Sequence, residues 1–287
     1  MRLRSVLGNA QRLDGGSMFG NCPRAVWERW APADDAHRID LACRCLLIEH
    51  EGKTILLETG IGAFFAPKLK DRFGVMESEH ALLEGLAKLG VAPAQVDIIV
   101  ISHLHFDHAG GLLTPYVEGE APALAFPNAT VIVGQRAWER ALAPHARDKA
   151  SFLPKLNELL EASGKLVIVP EGASHCDELG DAFSFSYSDG HTPGLMLTRV
   201  ASPRGPITFM GDLIPGIPWV HLPITMGYDR FPEKVIDEKL EMLSRVIDED
   251  GWAFFTHDPG FAACKVERNE KGKFVPVDKV DAVDWDG

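Results

Sequence analysis

Two apolar runs of strand character, residues 41–50 (LACRCLLIEH) and 53–59 (KTILLET), are separated only by Glu51-Gly52, a spacing that predicts a β-hairpin. Farther on, Leu82, Leu83, Leu86 and Leu89 recur at helical spacing within 78–89, and Gly90 supplies a stop. The run 97–102 (DIIVIS) is short and continuously apolar, the pattern of a strand buried on both faces. The same reading predicts strands over 130–133, 165–169, 183–188, 195–200, 207–210 and 252–256, and helices over 135–142, 152–162 and 232–248. Strands and helices are mixed throughout, and no Pro-, Gly- or Ser-rich or low-complexity stretch marks a boundary. One α/β domain over residues 1–287 is the expected organisation.

Composition narrows the classes of partner. Hydrophobic residues at 46% and charged residues at 24% fit a globular protein with a sizeable core. Lys and Arg number 29 against 41 Asp and Glu, a net charge of -12 that repels a phosphate backbone and argues against nucleic acid. No run approaches the ~18 apolar residues of a membrane span, and Met1-Arg2-Leu3-Arg4 does not lead into an apolar signal core. The expectation is a cytoplasmic protein with no membrane partner. Cys22, Cys43, Cys45, Cys176 and Cys264 are odd in number and form no Cys-x-x-Cys, so buried reduced thiols are expected rather than disulfides or a thiolate zinc site. Residues 27–30 (WERW) read either as a helix with inward tryptophans or as a homodimer contact.

The candidate chemistry begins where the buried strand ends. Residues 102–111 read SHLHFDHAGG, which places His103, His105, Asp107 and His108 within six positions of a glycine-containing loop. Imidazole nitrogen and carboxylate oxygen are the donors a divalent metal such as zinc takes at ~2.0–2.2 Å, and a short loop can aim successive side chains at two adjacent centres. A single histidine there would be read as a satisfied core residue. Three further apolar strands end on or just before ligand-type residues: Asp189-Gly190-His191, then Gly211-Asp212, then Thr256-His257. Chance supplies any one of these matches, but not readily all of them in order.

On His103-x-His105-x-Asp107-His108 and these later matches, the chain resembles the metallo-β-lactamase superfamily from about Leu41 to about Pro259. The resemblance implies an αββα sandwich with its site at one edge between two sheets. It also implies that His103, His105 and His191 hold one metal, that Asp107, His108 and His257 hold another, and that Asp212 bridges them. Zinc is the first expectation for the two divalent ions, and the same donors admit Mn, Fe, Co or Ni. Superfamily members usually carry Asp where this chain has Glu58, beside a ligating histidine.

Within the superfamily the chain looks most like the quorum-quenching N-acyl-homoserine-lactone lactonases. The segments that carry this are 13–20 (LDGGSMFG), 211–215 (GDLIP) and 226–229 (MGYD). The likeness implies a hydroxide, bridging two metals, that attacks a lactone or ester carbonyl, with Asp107 or Asp212 passing a proton to the leaving alkoxide. Met18 and Phe19 are either an apolar wall for an acyl chain or two core plugs of an ordinary turn. Many such lactonases carry a catalytic tyrosine three residues after the bridging aspartate, where this chain has Pro215. Tyr228 or His221 is the expected replacement, unless Tyr228 only braces a loop. The alternatives are a thioesterase like glyoxalase II, a phosphotriester or aryl-ester hydrolase, and a metal-binding sensor or interaction protein without turnover.

Overall fold

Period-two alternation through the central strands sets the layers in the computed structural model, which describes residues 1–287. The strands are β1 (Arg2–Leu7), β2 (Gln11–Asp14), β3 (Arg38–Leu41), β4 (Arg44–His50), β5 (Lys53–Leu57), β6 (Ile98–Ile101), β7 (Thr130–Gly134), β8 (Leu166–Val169), β9 (Phe183–Ser188), β10 (Leu195–Val200), β11 (Ile207–Phe209), β12 (Trp252–Phe254), β13 (Ala263–Arg268), β14 (Phe274–Val280) and β15 (Asp284–Asp286). The helices are α1 (Gly15–Phe19), α2 (Arg24–Trp27), α3 (Pro67–Arg72), α4 (Ala81–Lys88), α5 (Phe106–Ala109), α6 (Gln135–Leu142), α7 (Pro154–Ser163) and α8 (Pro232–Asp248). A seven-stranded sheet runs β15-β1-β4-β5-β6-β7-β8, a six-stranded sheet runs β14-β13-β12-β11-β10-β9, and β2 pairs with β3 as a separate ribbon.

Three cores separate four layers, the αββα sandwich that the sequence resemblance implies. On β6, Ile99 and Ile101 face α4, α6 and α7, packing with Leu82, Trp138 and Leu156. The alternate residues Ile98 and Val100 face the second sheet, packing with Phe209 and Phe254. The far side of that sheet offers Leu195, Ala253 and Phe255 to Val235, Met242, Leu243 and Val246 of α8. A strand buried on both faces therefore reads as one apolar run, which is why 97–102 is legible from sequence alone.

Strands β5, β6, β7 and β8 are mutually parallel, as are β11 and β12, so each group delivers its carboxyl ends to one edge. Catalytic and binding groups collect outside such ends in open sheets. The hairpin predicted around Glu51-Gly52 is the antiparallel β4–β5 pair, with His50 opposite Lys53.

The pattern misses β1, the β2–β3 ribbon and the closing β13, β14 and β15. These strands are short or mix exposed with buried positions, and β15 is held by pairing with β1 across almost the whole chain. Helix starts also shift. The helix expected from 78 begins at Ala81, and the one expected from 152 begins at Pro154, where the missing N–H of proline is tolerated in the first turn. Residues 15–19, expected as a loop, form α1, with the Asp14 carboxylate accepting from Ser17 N at its start.

Of the two WERW tryptophans, Trp27 is buried and Trp30 is 44% exposed, so inward packing describes only the first. All five cysteines are free; Cys43, Cys45 and Cys264 are buried, and Cys22 and Cys176 are partly exposed. No helix is long and apolar enough to cross a membrane.

Candidate metal centre

His103 stands just beyond the end of β6, and α5 carries Asp107 and His108 one turn later. Gly110 and Gly111 close this motif because the 59–61 backbone lies against it. A Cβ on Gly111 would collide with the Thr59 carbonyl, and one on Gly110 with the Ile61 carbonyl. Thr59 N and Thr59 Oγ1 both donate to the His108 carbonyl at 3.0 Å, fixing the motif to the end of β5. His191, Asp212 and His257 follow β9, β11 and β12, respectively, within three residues of each strand end.

The donor atoms fall into two groups. His103, His105, His191 and Asp212 form one, and Asp107, His108 and His257 form the other, with the atoms of each within 4.8 Å of one another. In the first, His103 Nε2 lies 3.0 Å from His105 Nδ1, and His191 Nε2 lies 3.4 Å from that same Nδ1. In the second, His257 Nε2 is 3.3 Å from His108 Nε2 and 3.6 Å from Asp107 Oδ2. Asp212 touches both, with Oδ2 3.2 Å from His191 Nε2 and Oδ1 3.1 Å from His257 Nε2 and 3.3 Å from His108 Nε2.

The outer nitrogens of four rings are already engaged. His108 Nδ1 meets Glu58 Oε2 at 3.1 Å, His191 Nδ1 meets Asp229 Oδ1 at 2.9 Å, His257 Nδ1 donates to the Ala42 carbonyl at 2.7 Å, and His103 Nδ1 pairs with Ser102 Oγ at 3.0 Å. Each pairing leaves Nε2 turned inward, the arrangement by which outer partners fix the tautomer of a metal-ligating imidazole. His105 is reversed: its Nδ1 points inward, and its Nε2 is buried against Phe152 without a partner. Glu58 adopts φ 66°, a left-handed conformation costly for a side chain with Cβ. Its other oxygen accepts from Ser102 N at 2.6 Å, so one carboxylate joins the β6 exit to His108.

The electrostatics call for positive charge at the centre. Burial drives His103 well below the ordinary imidazole range, and burial with the nearby His191 pushes His105 down to about 3. Burial opposes charge on His108 and His257 too, but Asp212 chief among the carboxylates outweighs it and holds both well above that range. Burial would likewise raise Asp212, yet His108, His191 and His257 hold it well below the usual carboxylate range. Asp212 Oδ1 nevertheless accepts no hydrogen bond, although two ring nitrogens lie close by. Rings and carboxylate therefore aim at common points rather than at one another. A cation at each point satisfies the orphaned oxygen and lets neutral imidazoles turn lone pairs inward, so this donor set fits two divalent ions.

The sequence profile of the metallo-beta-lactamase superfamily matches residues 38–257. The chain belongs to the metallo-β-lactamase superfamily. An N-acyl homoserine lactonase of Bacillus thuringiensis is 30% identical over 169 residues, 54% of this chain and 57% of the relative's length. A solved structure described as a probable metal-dependent hydrolase from Staphylococcus aureus superposes with TM-score 0.83 at 26% identity, covering 97% of both chains. AidC, a dizinc quorum-quenching lactonase, superposes with TM-score 0.73 at 22% identity over 96% of this chain and 93% of its own, a likeness of fold.

In this metallo-β-lactamase fold a cavity of about 400 Å³ opens onto the centre, and His105, Asp107, His191, Asp212 and His257 reach its wall. Met18 and Tyr228 line it. Phe19 does not: it is fully buried, with its ring stacked on Trp219 at 4.6 Å and on Trp27 at 5.5 Å, so it plugs the core behind the cavity. His221 is also absent from the wall. It follows a turn at 217–220, and its carbonyl accepts from the buried Lys239 ammonium, on the side of α8.

Three supporting residues escape the sequence reading. Asp229 orients His191 while its second oxygen accepts from Met226 N at 2.7 Å, and Gln11 Nε2 donates to Asp107 Oδ2 at 2.9 Å. Buried Arg44 donates from Nη1 to the carbonyls of Phe255, Asp258 and Phe261, clamping the loop that carries His257. Asp229 stands in the segment 226–229 (MGYD), where a carboxylate beside a turn is its only signal.

Proposed function

We propose that the chain is a binuclear metal-dependent hydrolase that opens a lactone or ester. The observation that carries this is Asp212, whose two oxygens face two separate imidazole groups across a single carboxylate. His103, His105 and His191 would hold one ion, Asp107, His108 and His257 the other, with Asp212 shared. Such ions, zinc first, supply a Lewis acid for the carbonyl and acidify water enough to act at neutral pH. Asp107 and Asp212 both reach the cavity wall, where either carboxylate can carry a proton to the departing alkoxide.

The wall suits an acyl substrate. Leu13, Met18, Leu41, Phe73, Phe106 and Met226 give it an apolar side, and Tyr228 adds a hydroxyl. The Pro215 carbonyl accepts from His257 N, so that position braces a ligand loop, and Tyr228 is the one phenol among the wall residues. The lactonase relatives make N-acyl-homoserine lactones the first substrates to test. Arg147 is the only Lys or Arg on the wall, which disfavours the anionic tripeptide thioester of a glyoxalase II-like enzyme.

The deciding experiment compares kcat/KM of metal-loaded protein on N-acyl-homoserine lactones, S-lactoylglutathione, an aryl ester and a phosphotriester, with metal-stripped protein as control. The lactones are expected to lead. A thioester preference would transfer the function to that alternative, and an inert loaded protein would favour a sensor. Tyr228→Phe is expected to lower lactone kcat/KM by about tenfold with metal content unchanged, through loss of one hydrogen bond to developing negative charge. Unchanged turnover would leave Tyr228 as a loop brace.

A further inference from the structure

The cavity at the centre has a neighbour. Arg147, between α6 and α7, is exposed, yet its Nη2 donates to the Gly227 carbonyl at 2.5 Å, which ties it across to the 226–229 segment. Arg147, Met226 and Gly227 line both the metal-centre cavity and an outer groove of about 460 Å³. The two spaces therefore abut at this strut. Their walls differ: the inner one sets Leu13, Met18, Leu41, Phe73 and Phe106 beside the metal-centre residues, whereas Asp14, Ser17, Asn21 and Thr225 stand among the residues of the outer one.

The outer groove carries charges of both signs. Asp14 spends Oδ1 on Ser17 N, and Arg147 spends Nη2 on Gly227, leaving Asp14 Oδ2 and the remaining guanidinium N–H groups for a ligand. A carboxylate in this groove gains Arg147 but is repelled by Asp14, an ammonium gains Asp14 but is repelled by Arg147, and a methyl group satisfies neither. A hydroxyl or carboxamide can accept from the arginine and donate to the aspartate.

Building on the proposed hydrolase activity, we infer that the outer groove is a second subsite for the substrate tail. In it Arg147 and Asp14 select tails that are apolar near the ester and end in an uncharged hydrogen-bonding group. Because Arg147 is exposed, water competes for its N–H groups and the discrimination is modest.

The test uses three lactones of equal tail length ending in methyl, carboxamide or carboxylate. Wild-type kcat/KM is expected to favour carboxamide over methyl by about fivefold, mainly through KM, with carboxylate below carboxamide, the scale of one partly screened charge-assisted hydrogen bond. Arg147→Ala is expected to bring carboxamide and methyl within about twofold. Asp14→Asn, which keeps an oxygen to cap α1, is expected to raise the carboxylate tail relative to methyl. Equal wild-type rates for all three tails, or a carboxamide preference that survives Arg147→Ala, would overturn the inference. Calorimetric affinities of the three ring-opened hydroxy acids for metal-loaded protein give the same ranking without turnover. Failure to hydrolyse any lactone or ester would thus count against the proposed activity, while the affinity ranking decides the subsite on its own.

Discussion

Asp212→Ala is expected to lower lactone or ester kcat/KM by on the order of 10³-fold, the scale of losing one preorganised electrostatic partner of the reacting centre. The residue lies beyond the end of β11, outside the apolar cores, so the variant should fold. Its carboxylate meets His191 on one side and His108 with His257 on the other, and no second carboxylate touches both groups at these distances. Removing it should therefore lower metal content as well as turnover. Circular dichroism, elemental analysis and kinetics on one preparation check the three parts together. A folded variant with near-native turnover would contradict the role assigned to Asp212.

Asp229→Ala is expected to weaken metal binding by about 10- to 100-fold, the usual effect of removing the carboxylate behind a ligating histidine. His191 loses the partner at 2.9 Å that turns Nε2 inward, and Met226 N loses its acceptor at 2.7 Å on the segment lining the cavity. Activity should fall with metal content at limiting metal and recover substantially in excess metal, which distinguishes a positioning residue from a ligand. Metal titration of wild type, Asp229→Ala and Asp229→Asn checks this, with Asn expected between the two. An Asp229→Ala protein that binds metal as wild type does would overturn the assignment.

The sequence made the inner part of the site legible because His103, His191, Asp212 and His257 each follow within three residues of a strand end, where an apolar run stops abruptly. His103 after 97–102 and His257 after 252–256 are visible in that way. Their supports are not. Gln11 reaches Asp107 across 96 positions, and Arg44 reaches the Asp258 carbonyl across 214, so no local window contains both partners. Glu58 drew notice only because the resemblance leads one to expect a shorter carboxylate there.

The same distinction explains the substrate residues. Met18 and Phe19 are adjacent and both apolar, but α1 turns Met18 to the cavity and sends Phe19 between Trp27 and Trp219. Nothing in the spacing of residues 13–20 reveals a stacking partner two hundred positions away. His221 has ligand chemistry but sits on the α8 side of its loop, where Lys239 donates to the carbonyls of His221, Leu222 and Ile224. The C-terminal strands β13 to β15, of which β14 and β15 are sheet edges, show why fold detail fades there: their positions are secured by pairing, with weak help from hydrophobic pattern.

The central claim is that two ions share Asp212, and metal stoichiometry tests it most directly. Protein loaded with zinc, freed of excess metal and assayed by elemental analysis should hold close to two ions per chain, and His103→Ala should hold measurably fewer. A reproducible single ion in folded wild-type protein, at saturating metal, would contradict the account.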